Sequence, residues 1–289
     1  MRIGTVGLGA MGAPMTRNLC AGGDEVYCYD IDPAKSAALV GGAIHAVDSV
    51  AEMAATCELV VIMITNDNAL RKVVFGPKGL LAGKPRGCAV DLSTTSVTLA
   101  RDCEKAVAAA GATFLDGAVI GGGAPAAKAG KSPIVVSGDS AAYEKIKDKL
   151  ARLGSCDFVG ACGNAKIVKT INNMLVGIIT ASNAEALALG MAAGMDLKSL
   201  VEGLESGSGG SVVLKSYMGK YANEGVYGDG LIGNELMAKD MTLACDLGKM
   251  TDSPVLFAEL ARQFYMLAGK SVGQEKMFPS VFELFGPKA

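Results

Sequence analysis

Short apolar runs alternate with mixed segments through the first half of the chain. Clear examples are residues 1–7, 59–64 and 88–92, and further runs lie at 25–29, 112–116, 134–138 and 156–159. Continuous apolar runs of this length are typical of parallel strands that helices cover on both faces. Helical patterns separate the runs, so the pattern up to about residue 160 predicts a doubly wound α/β domain.

The chain changes character beyond Gly163, where the strand-like runs stop. Residues 165–195 form one pattern without proline, which predicts a single helix about 45 Å long. Its apolar residues lie nearly all round, so we expect it to be buried. Further helical patterns lie at 197–205, 236–247 and 255–267, and the Gly/Ser-rich stretch 206–233 indicates loops around a helix. We therefore predict an all-helical domain over 163–289, and dimerisation to bury its long helix.

The first thirty residues carry a nucleotide-binding pattern. A strand leads into a Gly-x-Gly-x-x-Gly turn and a helix, and a second strand ends at Asp30; the turn consists of Gly7, Leu8, Gly9, Ala10, Met11 and Gly12. Such glycines permit a tight turn and close approach of a pyrophosphate, and the helix N-terminus supplies free amide donors. The order of these parts predicts a dinucleotide-binding Rossmann domain over 1–162, with the turn and Asp30 as cofactor-binding residues.

Asp30 also bears on which dinucleotide is used. A carboxylate accepts a hydrogen bond from a ribose 2′-hydroxyl but repels a 2′-phosphate. Asp32 adds a second negative charge, and the nearest base is Lys35. NAD is therefore favoured over NADP. Asp32 has a second interpretation, because Asp before Pro33 is a good helix start.

The composition of the chain bears on which partners it can bind. The net charge is −2 and there is no tryptophan, so a nucleic-acid partner is not expected. We find no uninterrupted apolar stretch long enough for a membrane span and no basic-then-apolar signal segment, which favours a cytoplasmic protein. The eight cysteines are scattered without metal-ligand spacing, so we expect no metal site and a reducing compartment.

Oxidation of an alcohol also needs a group that accepts the hydroxyl proton. The single histidine, His45, lies early in the nucleotide-binding half, where a structural or surface role is favoured. Lys169 and Asn173 are four residues apart and share one helix face. Apolar surroundings and the like-charged neighbour Lys166 would both favour a neutral Lys169. The residues alone leave a second interpretation open, in which both lysines are solvated on the first helical turns.

Several motifs in order resemble those of the β-hydroxyacid dehydrogenase family, which includes 3-hydroxyisobutyrate dehydrogenase and tartronate semialdehyde reductase. The similar segments are the glycine turn with Met11, the D-x-S-T segment at 91–94, the glycine-rich segment 116–122, K-x-x-N-N at 169–173 and L-M-x-K-D at 236–240. The resemblance covers nearly the whole chain.

The resemblance implies roles for individual residues. Lys169 would be the catalytic acid and base, and Asn173 would position the substrate. Ile64, Thr65, Thr94 and Lys239 would lie at the cofactor. The substrate carboxylate would meet Ser93 and the backbone amides of Gly121, Gly122 and Gly123, which could form an anion nest. The alternative for these glycines is a turn without a chemical role.

The substrate side of the chain departs from the family pattern. Thr65 replaces a proline, Ile120 replaces a serine, and the segment after it is one residue longer. Lys166 stands where the family has glutamine. We therefore predict an NAD-dependent dehydrogenase of a small β-hydroxy acid, forming a homodimer or homotetramer. The alternatives are an NADPH-dependent reductase of a short aldehyde acid or imine, and a non-catalytic dinucleotide sensor or scaffold.

Overall fold

The fold is described from a computed structural model, which covers residues 1–227 and 232–285. The chain forms two compact units, Met1–Lys169 and Thr170–Ala289.

An eight-stranded sheet forms the centre of the first unit, in the order β3-β2-β1-β4-β5-β6-β7-β8. The strands are β1 (Arg2–Val6), β2 (Glu25–Tyr29), β3 (Ile44–Ala46), β4 (Leu59–Ile62), β5 (Cys88–Asp91), β6 (Thr113–Val119), β7 (Ile134–Ser137) and β8 (Cys156–Phe158). Neighbouring strands are parallel except β6 and β7, which pair antiparallel with Asp116 opposite Ser137. The predicted doubly wound α/β fold is thus confirmed, with one reversed pair that the apolar runs could not indicate.

Helices cover both faces of this sheet. They are α1 (Gly12–Cys20), α2 (Pro33–Ala37), α3 (Val50–Thr56), α4 (Asp67–Phe75), α5 (Val97–Ala109), α6 (Gly123–Ala129) and α7 (Ser140–Leu150). One core cluster includes Met15, Leu19 and Leu150, and a second includes Met53, Leu70 and Cys103. Burial on both faces explains why the central strands are apolar throughout.

Side-chain caps set where several of these helices begin. Ser49, Asn66 and Ser96 each accept a hydrogen bond from a backbone amide in the first turn of the following helix. Asp32 accepts from the Ala34 amide in the same way, so its predicted capping role is confirmed.

The long helix α8 spans Asn164–Ala192 and has 29 residues, which confirms the predicted single helix. By length and composition it could cross a membrane: an 18-residue window has a mean hydropathy of 1.5, and 28% of that window is buried. In the single chain this helix is only partly buried, since Leu175 is 50% exposed and Leu189 is 71% exposed. Its full burial depends on the expected dimerisation and stays a prediction.

Helices make up most of what the structure describes of the second unit. They are α9 (Leu197–Glu205), α10 (Lys220–Glu224), α11 (Asn234–Thr251) and α12 (Leu256–Ser271), with a π-helical segment over Leu214–Gly219 and a 3₁₀ helix over Phe278–Leu284. A core that includes Met237, Met241 and Phe278 surrounds the fully buried Tyr265. The Tyr265 hydroxyl donates to the Gly177 carbonyl at 2.8 Å, so this buried polar group has a partner.

Candidate active site

The carboxyl ends of five strands meet at one edge of the sheet. Strands β1, β2, β4, β5 and β6 all run parallel, so the segments that follow them lie along the same edge. The order of strands reverses between β1 and β4, where the chain winds outward in both directions. In open α/β sheets, ligands bind in the crevice at such a switch point. This edge brings together the predicted segments 7–12, 64–65, 93–94 and 121–123 with Asp30.

The glycine turn after β1 has two structural glycines and one that leaves open space. Gly7 has a φ of +88°, and a Cβ on Gly12 would lie 1.8 Å from the Gly7 carbonyl oxygen. A Cβ on Gly9, by contrast, would meet no protein atom within 4 Å. Met11, at the start of α1, makes no capping hydrogen bond through its side chain. The turn therefore offers a helix N-terminus beside unfilled space, an arrangement that fits the pyrophosphate of a dinucleotide.

Asp30 is buried at the end of β2 and contacts the glycine turn directly. Its Oδ2 accepts from the Leu8 amide at 2.7 Å, and its Oδ1 accepts from the Asp32 amide at 2.9 Å. Lys35 Nζ lies 3.7 Å from Oδ1. The carboxylate thus stabilises the turn, and each oxygen keeps lone-pair capacity that a ribose hydroxyl could use.

The segments after β4 and β5 are joined by a hydrogen bond. The Ile64 amide donates to Ser93 Oγ at 2.9 Å. Ser93 is fully buried, whereas Thr94 is half-buried and Thr65 is exposed. Ser93 therefore has a clear structural contact, and its contact with a substrate stays a prediction.

The glycine segment after β6 adopts a conformation that requires glycine. Gly122 and Gly123 have φ values of +78° and +53°, and α6 begins at Gly123. A Cβ on Gly122 would also lie 2.3 Å from Ala126 Cβ, whereas one on Gly121 would make ordinary contact with Pro133 at 3.4 Å. Ile120 is half-buried and packs with the cluster of Ala118, Val135 and Ala165. Gly121 is therefore the position at which a side chain can be added with little strain.

Lys166 is fully buried, which overturns its expected roles as a solvated residue or a simple like-charged neighbour. Its Nζ lies 2.9 Å from Asp91 Oδ2 and 3.3 Å from Asp116 Oδ1, and both carboxylates are fully buried. Burial alone would lower the pKa of the Lys166 ammonium, but the two carboxylates outweigh it and raise the pKa. Lys166 and its two carboxylates together have a formal charge of −1, so Lys166 does not act as an isolated positive charge near Lys169.

Lys169 follows one helical turn later in α8 and is half-buried. Asn173, four residues on, is buried, and its Nδ2 donates to Asp240 Oδ2 at 2.7 Å. Lys239 Nζ lies 3.2 Å from Asp240 Oδ1. Asp240 thus contacts two predicted site residues.

Sequence reasoning did not assign site roles to Asp91, Asp116 or Asp240. Each was visible as an acid at a strand end or in a matched motif, and a buried lysine or asparagine requires such a partner. The pattern does not reveal which acid meets which lysine or asparagine, because the partners are 50 to 75 residues apart.

A histidine and a cysteine that could in principle serve catalysis both have structural surroundings. His45 lies on the edge strand β3, with its ring 5.3 Å from that of Tyr27. Cys162 is buried, and desolvation raises the pKa of its thiol. Among the described residues, no group of three His, Cys, Asp or Glu side chains could hold a metal ion.

Two family models match the sequence over nearly its full length. Residues 2–163 match the NAD binding domain of 6-phosphogluconate dehydrogenase, and residues 163–285 match the NAD-binding model of NADP-dependent 3-hydroxyisobutyrate dehydrogenase. Together with the glycine turn at the switch point of the sheet, these matches define an oxidoreductase that uses a nicotinamide dinucleotide.

Proteins with similar sequences and structures identify the family of oxidoreductases. The 2-(hydroxymethyl)glutarate dehydrogenase of Eubacterium barkeri is 33% identical over 94% of this chain and 90% of that protein. An NAD-dependent L-serine dehydrogenase of Pseudomonas aeruginosa is 32% identical over 99% of this chain and 98% of that protein. A solved Mycobacterium tuberculosis 3-hydroxyisobutyrate dehydrogenase with L-serine has a TM-score of 0.89 and 25% identity, covering 98% of each chain. The chain belongs to the β-hydroxyacid dehydrogenase family and is an enzyme of that kind.

Proposed function

We propose that this enzyme oxidises a small β-hydroxy acid with NAD, and that Lys169 Nζ exchanges the proton of the substrate hydroxyl group. The observation that carries the proposal is the meeting of the glycine turn, Asp30 and the glycine segment 121–123 at one sheet edge. One part suits a dinucleotide and the other offers backbone amides to a carboxylate.

The preference for NAD rests on Asp30. Its carboxylate is buried beside the turn and would repel a 2′-phosphate, while it can accept from a 2′-hydroxyl. Lys35 lies 3.7 Å away and offsets part of this charge. When bound, the dinucleotide supplies the hydride acceptor. Ile64, Thr65, Thr94 and Lys239 complete the proposed cofactor contacts.

The acid/base role of Lys169 rests on its place in α8. Lys166, one turn earlier, is committed to two carboxylates and is unsuitable for proton exchange with a substrate. Lys169 is half-buried, so a bound substrate could reach its amine. Asn173 lies on the same helix face and is oriented by Asp240, which suits it to position the substrate hydroxyl.

The substrate class follows from the glycine segment. Backbone amides of Gly121, Gly122 and Gly123 can bind a carboxylate, with Ser93 supporting the neighbouring turn. Ile120 offers no hydroxyl group there, which favours acids with an apolar substituent, such as 3-hydroxyisobutyrate and 3-hydroxypropionate, over glycerate.

The experiment is a screen of four acids, namely 3-hydroxyisobutyrate, 3-hydroxypropionate, L-serine and glycerate, with NAD and with NADP. We expect NAD turnover of at least one acid, and Lys169→Ala should lower kcat about 10²- to 10⁴-fold. Dinucleotide affinity should change little in this variant. Wild-type protein without turnover of any of these acids, or Lys169→Ala with near-normal kcat, would contradict the proposal.

We also infer that each chain has two functional domains, over 1–162 and 163–289, and that two or four copies of the chain form a homodimer or homotetramer. Large apolar side chains are exposed on α8 and α12: Ile171, Leu175, Leu189, Leu256, Phe257 and Leu260. Exposed apolar faces of this kind are typical of protein interfaces. Light scattering after size-exclusion chromatography should give a multiple of the 29.4 kDa chain, and a monomer would refute this inference.

A further inference from the structure

Lys166 connects three segments of the first unit through a single buried ammonium group. Besides its two ion pairs, Nζ donates to the carbonyls of Asp91 at 3.0 Å, Ser93 at 2.9 Å and Gly117 at 2.6 Å. The Asp91 carbonyl ends β5, the Ser93 carbonyl belongs to the segment after β5, and the Gly117 carbonyl lies within β6. Lys166 itself lies in the first turn of α8. The site edge of the sheet and the helix that carries Lys169 are therefore joined at this one atom.

The contacts around Lys166 extend further into the site. Asp116 Oδ2 accepts from the Gly163 amide at 2.9 Å, and Ser137 Oγ accepts from the Ala165 amide at 3.0 Å, so the start of α8 is held by β6 and β7. On the other side, Ser93 Oγ accepts from the Ile64 amide. The network thus reaches from the start of α8 to the segment after β4.

Stability alone does not explain a buried lysine at this position. Burying an ammonium and two carboxylates costs several kcal/mol per ion, and well-packed apolar residues often serve a core equally well. A buried network of ion pairs and hydrogen bonds does, however, restrict its members to one geometry. The network lies where the proposed reaction needs such a restriction.

We propose that Lys166 is a positioning residue, which fixes the segment after β5 and the second half of β6 against the first turn of α8 and thereby sets the place of Lys169. The inference rests on the proposed function. Lys166 touches neither substrate nor dinucleotide, since its ammonium is enclosed by protein acceptors. Its effect should fall on kcat and on the hydride-transfer step, because the glycine turn and Asp30 lie outside the network.

Two variants test this role. Lys166→Met keeps the length of the side chain but leaves two buried carboxylates without a cation. In case this variant does not fold, the double variant Lys166→Gln/Asp116→Asn removes one charge of each sign. Asp24→Asn is the matched control. Asp24 is a mostly buried acid with its own cations, but it precedes β2 and lies at the opposite edge of the sheet.

The measurements are kcat, KM and the deuterium isotope effect, with whichever of the four acids has the highest kcat/KM, deuterated at the hydroxyl-bearing carbon. In the folded double variant we expect kcat to fall about 10- to 100-fold, the scale for a misplaced catalytic group. The isotope effect should rise, and the Kd for NADH should stay within about threefold, corresponding to less than about 0.7 kcal/mol. The control should unfold more easily but keep its isotope effect and its kcat per folded molecule.

A double variant with kcat within twofold of wild type and an unchanged isotope effect would overturn the inference. Amide hydrogen exchange gives a readout that needs no turnover. Exchange should accelerate in residues 91–96 and 164–170 of the double variant but not of the control, and unchanged exchange would also overturn it. If wild-type protein turns over no hydroxy acid, the proposed function fails, and the exchange experiment still decides whether Lys166 holds these segments.

Discussion

Replacing Gly9 with alanine should weaken dinucleotide binding without weakening the fold. A Cβ there meets no protein atom within 4 Å, so the methyl group would occupy open space, which is where we propose that the pyrophosphate binds. If it costs one hydrogen bond between a backbone amide and a charged phosphate oxygen, the loss is about 1.5–3 kcal/mol. That loss corresponds to a rise in Kd of about 10- to 150-fold.

Two other glycines supply the controls for this experiment. Gly203, in α9, also has open space around its Cβ position, so Gly203→Ala should keep the Kd and gain up to about 1 kcal/mol of stability. Gly12→Ala would place a methyl group 1.8 Å from the Gly7 carbonyl oxygen and should lower the Tm. Fluorescence titration with NADH and calorimetry measure the two quantities separately. A Gly9→Ala variant with both the Tm and the Kd of wild type would refute the assignment of the open space to the cofactor.

Three further outcomes follow from the structure. Asp30→Ala should lower the ratio of kcat/KM with NAD to kcat/KM with NADP. The ratio is the informative quantity, because loss of the Leu8 contact affects the binding of both cofactors. A wild-type preference for NADP would contradict the role of Asp30. Ile120→Ser should raise kcat/KM for glycerate relative to 3-hydroxyisobutyrate, by a factor that corresponds to about 1–3 kcal/mol, the cost of an unpaired polar group. An unchanged preference would show that the side chain does not face the substrate. Burial would raise the pKa of Asp24, but hydrogen bonds from Lys149, the chain's amino group and Arg152 lower it overall. Its stabilising contribution is therefore present above about pH 4 and is lost as the pH falls, and Asp24→Asn should flatten this part of the urea-denaturation profile.

Local signals were enough to predict most elements and the cofactor edge of the sheet. The glycine turn, Asp30 and the bounds of α9 are set by nearby residues, for example by the Asp196 side chain that accepts from the Ser199 amide. Such features depend on a few consecutive positions, so a sequence pattern captures them.

The unpredicted features depend on contacts between distant segments. Strand β3 has three residues and is defined by pairing with β2, and the reversal of β7 depends on its partner β6. The environment of Lys166 is formed by acids 50 and 75 residues away. The sequence around Lys166 is the same whether its side chain points to water or into the core. The periodic pattern therefore could not distinguish a solvated lysine from a buried one.

The outermost strands of the sheet, β3 and β8, are also its shortest, with three residues each. A sheet edge with so few free amide and carbonyl groups gives another chain little to pair with. Two copies of the first unit should therefore not join into one continuous sheet, and the edges present little risk of the strand-to-strand aggregation that longer open edges invite. The self-association proposed above would therefore use the helical surfaces instead of the sheet edges.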